Sequence, residues 1–276
     1  MAFAQLSSTA FQGKTYWIGG GSSGIGFSIA QSLVQHGANV IIMARDEGKL
    51  ESAKSKLEAD ISKNSLQPKQ FVDVFSADIT DNHLQEKVSL FIEDKTLSGI
   101  LLNAGGPHGG DLASLSAKEL EYAHSILMKG PVALFQGLQT QLEDSSSVVA
   151  ITSTTVKEIN ADLPISGMYR TGLTSWLKSL AQVLAPERKI RVNSVAPGYT
   201  DTEKLGDLLN YSAQKLNLPL DDAKKEVRKS WEQVCAMNRL ASPEEIAGVC
   251  LFLFSELSSF ITGQTIVADG GQLLGY

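Results

Sequence analysis

The stretch Thr15-Tyr16-Trp17-Ile18-Gly19-Gly20-Gly21-Ser22-Ser23-Gly24-Ile25-Gly26 decides the fold. A short strand-like segment, Thr15 to Ile18, runs straight into a glycine cluster, and a helical pattern opens behind it. Phe27, Ile29, Ala30, Leu33 and Val34 recur as the apolar stripe of an amphipathic helix, and Val40 to Met43 read as a second buried strand. Glycines permit a tight strand-to-helix turn and let the backbone approach a pyrophosphate, which sits on the unpaired N–H groups and the positive dipole end of the helix. In this context the cluster is a phosphate cradle and not a linker.

Outward from the loop, short apolar runs alternate with longer helical stretches. Further strands are expected at Phe71 to Phe75, Gly99 to Leu102, Val148 to Ile151, Ile190 to Val195 and Gln264 to Val267, with helices over Asp46 to Lys63, Leu84 to Glu93, Ala117 to Leu138 and Pro164 to Leu184. Strict β-α alternation predicts a doubly wound α/β fold: about seven parallel strands with helices on both faces and ligand chemistry at the carboxyl ends of the strands. No linker or charge block divides the 276 residues, so one domain is expected, with its core over 13–271. The interval 202–237, helical but rich in charge, follows Pro197-Gly198 and is expected to form a lid over a substrate pocket; the alternative is a surface helical pair with no closing motion.

Composition excludes several functions. A formal charge of -6 gives no electrostatic footprint for nucleic acid. Residues 1–12 lack a basic, apolar leader, and no stretch approaches the ~18 apolar residues of a membrane span. Cys235 and Cys250 lack metal or redox spacing and read as reduced core thiols of a cytoplasmic protein. His36, His83 and His124 lie on helical stretches without ligand spacing, so no metal is expected.

Several motifs, in order, give the chain a resemblance to the short-chain dehydrogenase/reductase superfamily from Gly13 to about Gly271. Gly20, Gly24 and Gly26 match the glycines of its T-G-x-x-x-G-x-G loop, with Gly19 at the usual Thr, and Ser22, Ser23 and Ile25 complete the cradle. Asp78-Ile79, at the end of the third strand, matches an adenine contact. Asn103-Ala104-Gly105 matches N-N-A-G, with Leu102 for the first Asn. Pro197-Gly198, with Thr200 and Thr202, resembles the nicotinamide-carboxamide contact, and Ala268-Asp269-Gly270-Gly271 the C-terminal V-D-G-G. The resemblance implies a Rossmann-type oxidoreductase, a small carbonyl, alcohol or acyl thioester substrate, and a homo-oligomer, dimer or tetramer. That assembly would form through the two long helices, on which Leu134, Phe135, Leu138, Trp176, Leu177 and Leu180 extend beyond one core-facing stripe. Cofactor choice rests on Met43-Ala44-Arg45: no acid stands at Ala44 to accept from ribose hydroxyls, and Arg45 can pair with a 2′-phosphate, so NADP(H) is favoured over NAD(H), with Asp46 arguing the other way.

The resemblance breaks at the chemistry. The family uses Asn, Ser, Tyr and Lys, the last two as Y-x-x-x-K. Tyr169 is followed four residues on by Leu173 and lies 16 residues from Ser153, where 13 is usual. Anchoring on Ile190-Arg191-Val192-Asn193 instead places the Tyr position at Ser166, 13 residues from Ser153, and the Lys position at Arg170; Leu127 falls where the Asn belongs. Ser153, Ser166 and Arg170 are therefore the candidate catalytic residues. Arg170 can still hold ribose or phosphate oxygens but cannot relay a proton as Lys can. Loss of a positioned acid removes ~10²- to 10⁴-fold of rate. Ser166 and Arg170, at i and i+4, share a helix face, whereas Tyr169 is turned away by about 100°. Among replacement acids His108, on the loop after the fourth strand, stands first, against its reading as a surface-loop histidine; Tyr211, in the lid interval, reads as a helix-surface aromatic, with contact to substrate as the alternative.

Two functions compete. One is an NADP(H)-dependent reductase of carbonyls, most like the 3-oxoacyl carrier-protein reductases, with a degenerate catalytic set. The other is a non-catalytic NADP(H)-binding protein acting as sensor or scaffold.

Overall fold

The computed structural model describes residues 7–63, 69–106, 115–161, 163–214, 216 and 218–275. Seven strands form one parallel sheet: β1 (Thr15–Gly19), β2 (Asn39–Ala44), β3 (Val72–Ser76), β4 (Leu97–Leu102), β5 (Leu142–Ile151), β6 (Arg191–Pro197) and β7 (Thr265–Ala268). Their spatial order is β3-β2-β1-β4-β5-β6-β7, so the order reverses between β1 and β4, opening a crevice at the carboxyl ends.

Side-chain alternation along these strands builds two cores. Ile18, Val40, Ile42, Leu101 and Val149 face one side and pack on α1 (Gly24–Gln35), α2 (Glu47–Lys63) and α9 (Pro243–Phe254). Trp17, Ile41, Met43, Ile100 and Val148 face the other and pack on α3 (Leu84–Ile92), α5 (Gly130–Leu138) and α6 (Pro164–Arg188). Both faces are covered, which is why the strands read as continuous apolar runs. Each fully buried large side chain contributes about 1.5–3 kcal/mol by transfer from water, so the site rests on a stiff platform.

Three readings are refined. The expected helix Ala117 to Leu138 is α4 (Ala117–His124) and α5 joined by a π turn over Ser125–Lys129, a widened turn that commonly marks functional regions. β5 begins six residues earlier than expected, where Leu142 pairs with Leu97; the register then shifts, and Ser145 has a left-handed φ of 65°. The polar run Glu143 to Ser147 hides that part of the strand. The charged interval after β6 holds α7 (Glu203–Ala213) and α8 (Leu220–Val234).

The apolar face proposed for assembly is a correction. Leu134, Phe135, Leu138 and Leu177 are buried in this chain's own core, and Trp176 and Leu180 pack against it, with Trp176 edge-on to Phe135 at 5.6 Å. The large apolar side chains left exposed on these helices are Tyr122, Met168 and Val183.

Candidate active site

A cavity of about 740 Å³ runs along the carboxyl ends of the strands from the glycine loop to the start of α6. At its first end, β1 delivers Gly19 and the chain reverses through Gly20, whose φ is +61°, and Gly24, at +53°. A Cβ on Gly20 would lie 2.7 Å from the Asn103 side chain, and the Asn103 amide donates to the Gly19 carbonyl at 3.2 Å, fastening the end of β4 to the loop. Thr202 caps α7 by accepting from the Leu205 N–H, and its methyl packs over Gly24. The first turn of α1 carries no acid, and the side chain of its N-cap residue, Ser23, makes no capping bond. These N–H groups are left without a side-chain cap and favour an anion, and the glycines leave room for one, so the loop fits a pyrophosphate.

Ser22, Ser23, Gly24 and Ile25 line this end, as do Asn103, Ala104 and Gly105. Gly26 does not. It packs so closely under the loop that a Cβ would stand 2.1 Å from the Gly20 carbonyl oxygen, so its role is to let the helix approach. Asp78 lies two residues past β3, beside the cavity lining; one of its carboxylate oxygens accepts from both the N–H and the hydroxyl of Thr80 at 2.8 Å, and the other faces Arg45. Ile79 beside it does line the cavity.

Arg45 lies where expected, past β2, with its guanidinium 3.6 Å from Asp78 and both side chains well exposed. Asp46 is engaged in capping α2, accepting from the Lys49 N–H at 2.9 Å. Lys49, which sequence reading missed, also lines the cavity and pairs with Glu203 of α7 at 2.9 Å. Its signal was an exposed cation one turn into the helix that follows Arg45.

At the other end stand Ser153, Ser166 and Arg170. Ser153 follows β5 and its hydroxyl accepts from the Thr155 N–H at 3.3 Å, capping a short 3-10 turn. Ser166 and Arg170 occupy successive turns of α6; Arg170 Nε donates to Ser166 Oγ at 3.2 Å and Nη1 to the Ile151 carbonyl at 2.9 Å. Burial pushes the Arg170 guanidinium down to about 10, so it stays protonated at neutral pH. Pro197, Gly198, Thr200 and Thr202 close the wall between the two ends. Gly198 packs on Asp269, where a Cβ would come 2.8 Å from its Cα, and Asp269 holds the C-terminal turn by accepting from the N–H groups of Gly271 and Leu273.

Other candidates separate clearly. Tyr169 is outside the lining and packs on His124 of α4, ring centroids 5.6 Å apart. Leu127 lies buried in the π turn, outside the lining, with Ile126 taking the cavity side. Tyr211 of α7 lines the cavity, as does Tyr122 of α4, which sequence reading did not single out. His108 lies outside the described residues. α8 is held to the segment after β6 by the stacked rings of Tyr199 and Trp231, 4.7 Å apart, and by Arg228 on Asp201 at 2.7 Å. Among the described residues no helix is long and apolar enough to cross a membrane.

Known proteins match along nearly the whole chain. The family described as "Enoyl-(Acyl carrier protein) reductase" matches residues 20–272. Tropinone reductase-like 3 of Erythroxylum coca is 29% identical, covering 95% of this chain and 93% of its own. The 3-oxoacyl-[acyl-carrier-protein] reductase FabG of Aquifex aeolicus is 28% identical, covering 95% and 98%. The crystal structure of a short chain dehydrogenase family protein from Francisella tularensis superposes with a TM-score of 0.80 at 26% identity, covering 94% of this chain and 98% of that one.

Proposed function

This chain belongs to the short-chain dehydrogenase/reductase superfamily, and on that footing we propose that it reduces a carbonyl compound with NADP(H) through a serine-arginine site. The observation that carries the reading is the single cavity that joins the glycine cradle to Ser153, Ser166 and Arg170. Arg45 supports the phosphorylated cofactor; Asp46, the acid beside it in the lining, spends one carboxylate oxygen on capping α2. Gly20, Ser22, Ser23, Gly24 and Ile25 would hold the pyrophosphate, and Pro197, Gly198, Thr200 and Thr202 the nicotinamide end.

The bound nicotinamide supplies the hydride. The Ser153 and Ser166 hydroxyls and the Arg170 guanidinium hold the carbonyl oxygen and stabilise the negative charge that collects on it as the C=O bond is reduced. Such preorganised donors contribute about 10²- to 10³-fold each. A guanidinium stabilises charge without releasing a proton near neutrality, so the proton that completes the alcohol comes from water in the open cleft. α7, braced by α8, acts as a lid, and Tyr211 of α7 contacts substrate from it. The FabG relative makes 3-oxoacyl thioesters the first substrates to assay. We also place the protein in the cytoplasm, in keeping with its two free cysteines, and infer a homo-oligomer that covers Tyr122, Met168 and Val183.

The test is NADPH oxidation with activated ketones and 3-oxoacyl thioesters. Ser153→Ala and Arg170→Leu should each lower the rate by ~10²-fold. A second reading, an NADP(H)-binding protein without catalysis, is favoured by Leu127, buried where the family's polar Asn belongs. It prevails if NADPH binds tightly and no carbonyl is turned over.

A further inference from the structure

The cavity is lined by four cations, and three of them are matched within the chain. Arg45 faces Asp78 at 3.6 Å, Lys49 meets Glu203 at 2.9 Å, and Lys204 meets Asp207 at 3.6 Å. Arg170 is the exception. It is the most deeply buried of the four, only 9% exposed, and among the described residues no carboxylate lies within ion-pair distance of it. Its Nη2 has no acceptor among them, and points toward the loop after β4, 3.6 Å from where a Cβ on Gly106 would stand.

A second buried arginine shows what this fold does when a guanidinium is structural. Arg191 of β6 lies under α9 and is ringed by acceptors: the carbonyls of Leu253, Phe254, Ser255 and Ser258, together with the Ser258 hydroxyl. It is not among the residues that line the cavity described above. Among the described residues Arg170 has two acceptors and no counter-charge, and it lines the cavity. A buried charge left in that state is costly unless something pairs with it.

We propose that the substrate supplies the missing charge: within the carbonyl class proposed above, the site selects an oxo carboxylic acid whose carboxylate pairs with Arg170 beside the carbonyl that is reduced. The carboxylate must lie close to the reacting carbon, because Arg170 is bound to the Ile151 carbonyl two residues before Ser153 and to Ser166 itself. A guanidinium offers coplanar N–H donors, and a carboxylate next to a ketone presents coplanar oxygens on one edge, so the two groups match in shape as well as charge. Ser166, already accepting from Arg170, keeps its one hydroxyl proton for the carbonyl oxygen, and Arg170 spans that oxygen and the neighbouring carboxylate. The cofactor's phosphates belong to the glycine cradle at the opposite end and do not replace this anion.

Because the inference rests on the NADP(H) reading, the two are tested separately. NADPH binding is measured first, by its fluorescence. Oxamate, a carboxylate that mimics a 2-oxo acid but cannot be reduced, and its uncharged methyl ester are then titrated calorimetrically into the full chain with and without saturating NADPH. Oxamate should bind at least tenfold more tightly than the ester with NADPH present. Arg170→Met should abolish the difference and Arg170→Lys should retain part of it. Equal binding of acid and ester to the wild type overturns the proposal without recourse to any variant. So does oxamate that binds the free protein and is displaced by NADPH, since Arg170 would then serve the cofactor. Failure of NADPH to bind, with the oxamate preference intact in the free protein, would sink the cofactor reading and leave anion recognition standing.

Discussion

The two ends of one cleft have fared differently. At the cradle end, between β1, β2 and β4, the residues that shape the backbone are those the superfamily uses, and their geometry explains them: Gly20 and Gly24 take left-handed conformations, and Gly26 lies against the Gly20 carbonyl. At the α6 end, the backbone is equally regular but the side chains are changed, with Ser166 and Arg170 on adjacent turns and Leu127 buried nearby. Steric constraints on the cradle admit no side chain, whereas the α6 positions open on a cavity that accepts many. Binding geometry and chemical identity are therefore separable here, and mutations at the two ends should fail in different ways.

The largest effect is expected at the cradle. Gly26→Val places a Cβ 2.1 Å from a backbone oxygen, which cannot swing aside, so the loop must open. NADPH affinity should fall by more than ~10²-fold, the loss of two charge-assisted contacts. Fluorescence titration would measure it, and calorimetric unfolding without cofactor would separate it from loss of fold. Unchanged affinity would break the contrast at its stronger end.

Next comes the chemical end. Converting it to the superfamily pair, Ser166→Tyr with Arg170→Lys, should leave NADPH affinity within a few-fold while raising turnover of neutral ketones by ~10²-fold, the value of a positioned acid. The same double variant should keep only part of the preference for carboxylates, since Lys holds the charge without the guanidinium's paired donors. In the wild type, anion affinity should be level from pH 7 to 9 and fall once pH passes about 10, where Arg170 loses its charge. An anion response that instead fell near neutrality would assign the recognition to another group.

A smaller effect is expected at Arg45. Both it and its partner Asp78 are exposed, so solvent screens the pair and a 2′-phosphate would gain only a partly screened contact. Arg45→Ala should weaken NADPH binding about 5- to 10-fold, equivalent to 1 to 1.4 kcal/mol, with NADH nearly unchanged. Lys49, 2.9 Å from Glu203, is the reason the loss should stop there: a second cation stands one turn away. Equal losses for both cofactors would remove the basis for NADP(H) selectivity.

Much of this was legible in the sequence because the controlling physics is local. Strand-to-helix turns need glycine, and buried parallel strands need unbroken apolar runs, so β1, β2, β4 and the cradle could be read directly. β5 was read short because its first half, Glu143 to Ser147, is polar and paired irregularly at the sheet's end. The outward face expected of Leu134, Phe135 and Leu138 is core instead. Which neighbour covers an apolar face is decided by tertiary packing, and Trp176 on Phe135 is not signalled by residue type. Tyr122 and Lys49 were missed likewise: each enters the cavity from a helix whose rotation the sequence pattern leaves open.

The smallest effect is the one that most sharpens the comparison, because it tests which residue of α6 does the chemistry. Tyr169 is the obvious phenol on that helix, yet it points to α4, its ring 5.6 Å from that of His124, while the adjacent Arg170 faces the cleft. Successive residues on a helix differ by about 100°, so both cannot address one substrate without distorting the helix. Tyr169→Phe keeps the ring packing and deletes only the hydroxyl. Turnover and NADPH affinity should both stay within twofold of the wild type, and thermal stability should move by no more than about a degree, consistent with a surface-type substitution of under ~0.5 kcal/mol. A tenfold or greater fall in turnover with NADPH affinity unchanged would make Tyr169 the acid. It would also shift the register of the chemical end by three residues, and Ser166 and Arg170 would have to be read as its supports.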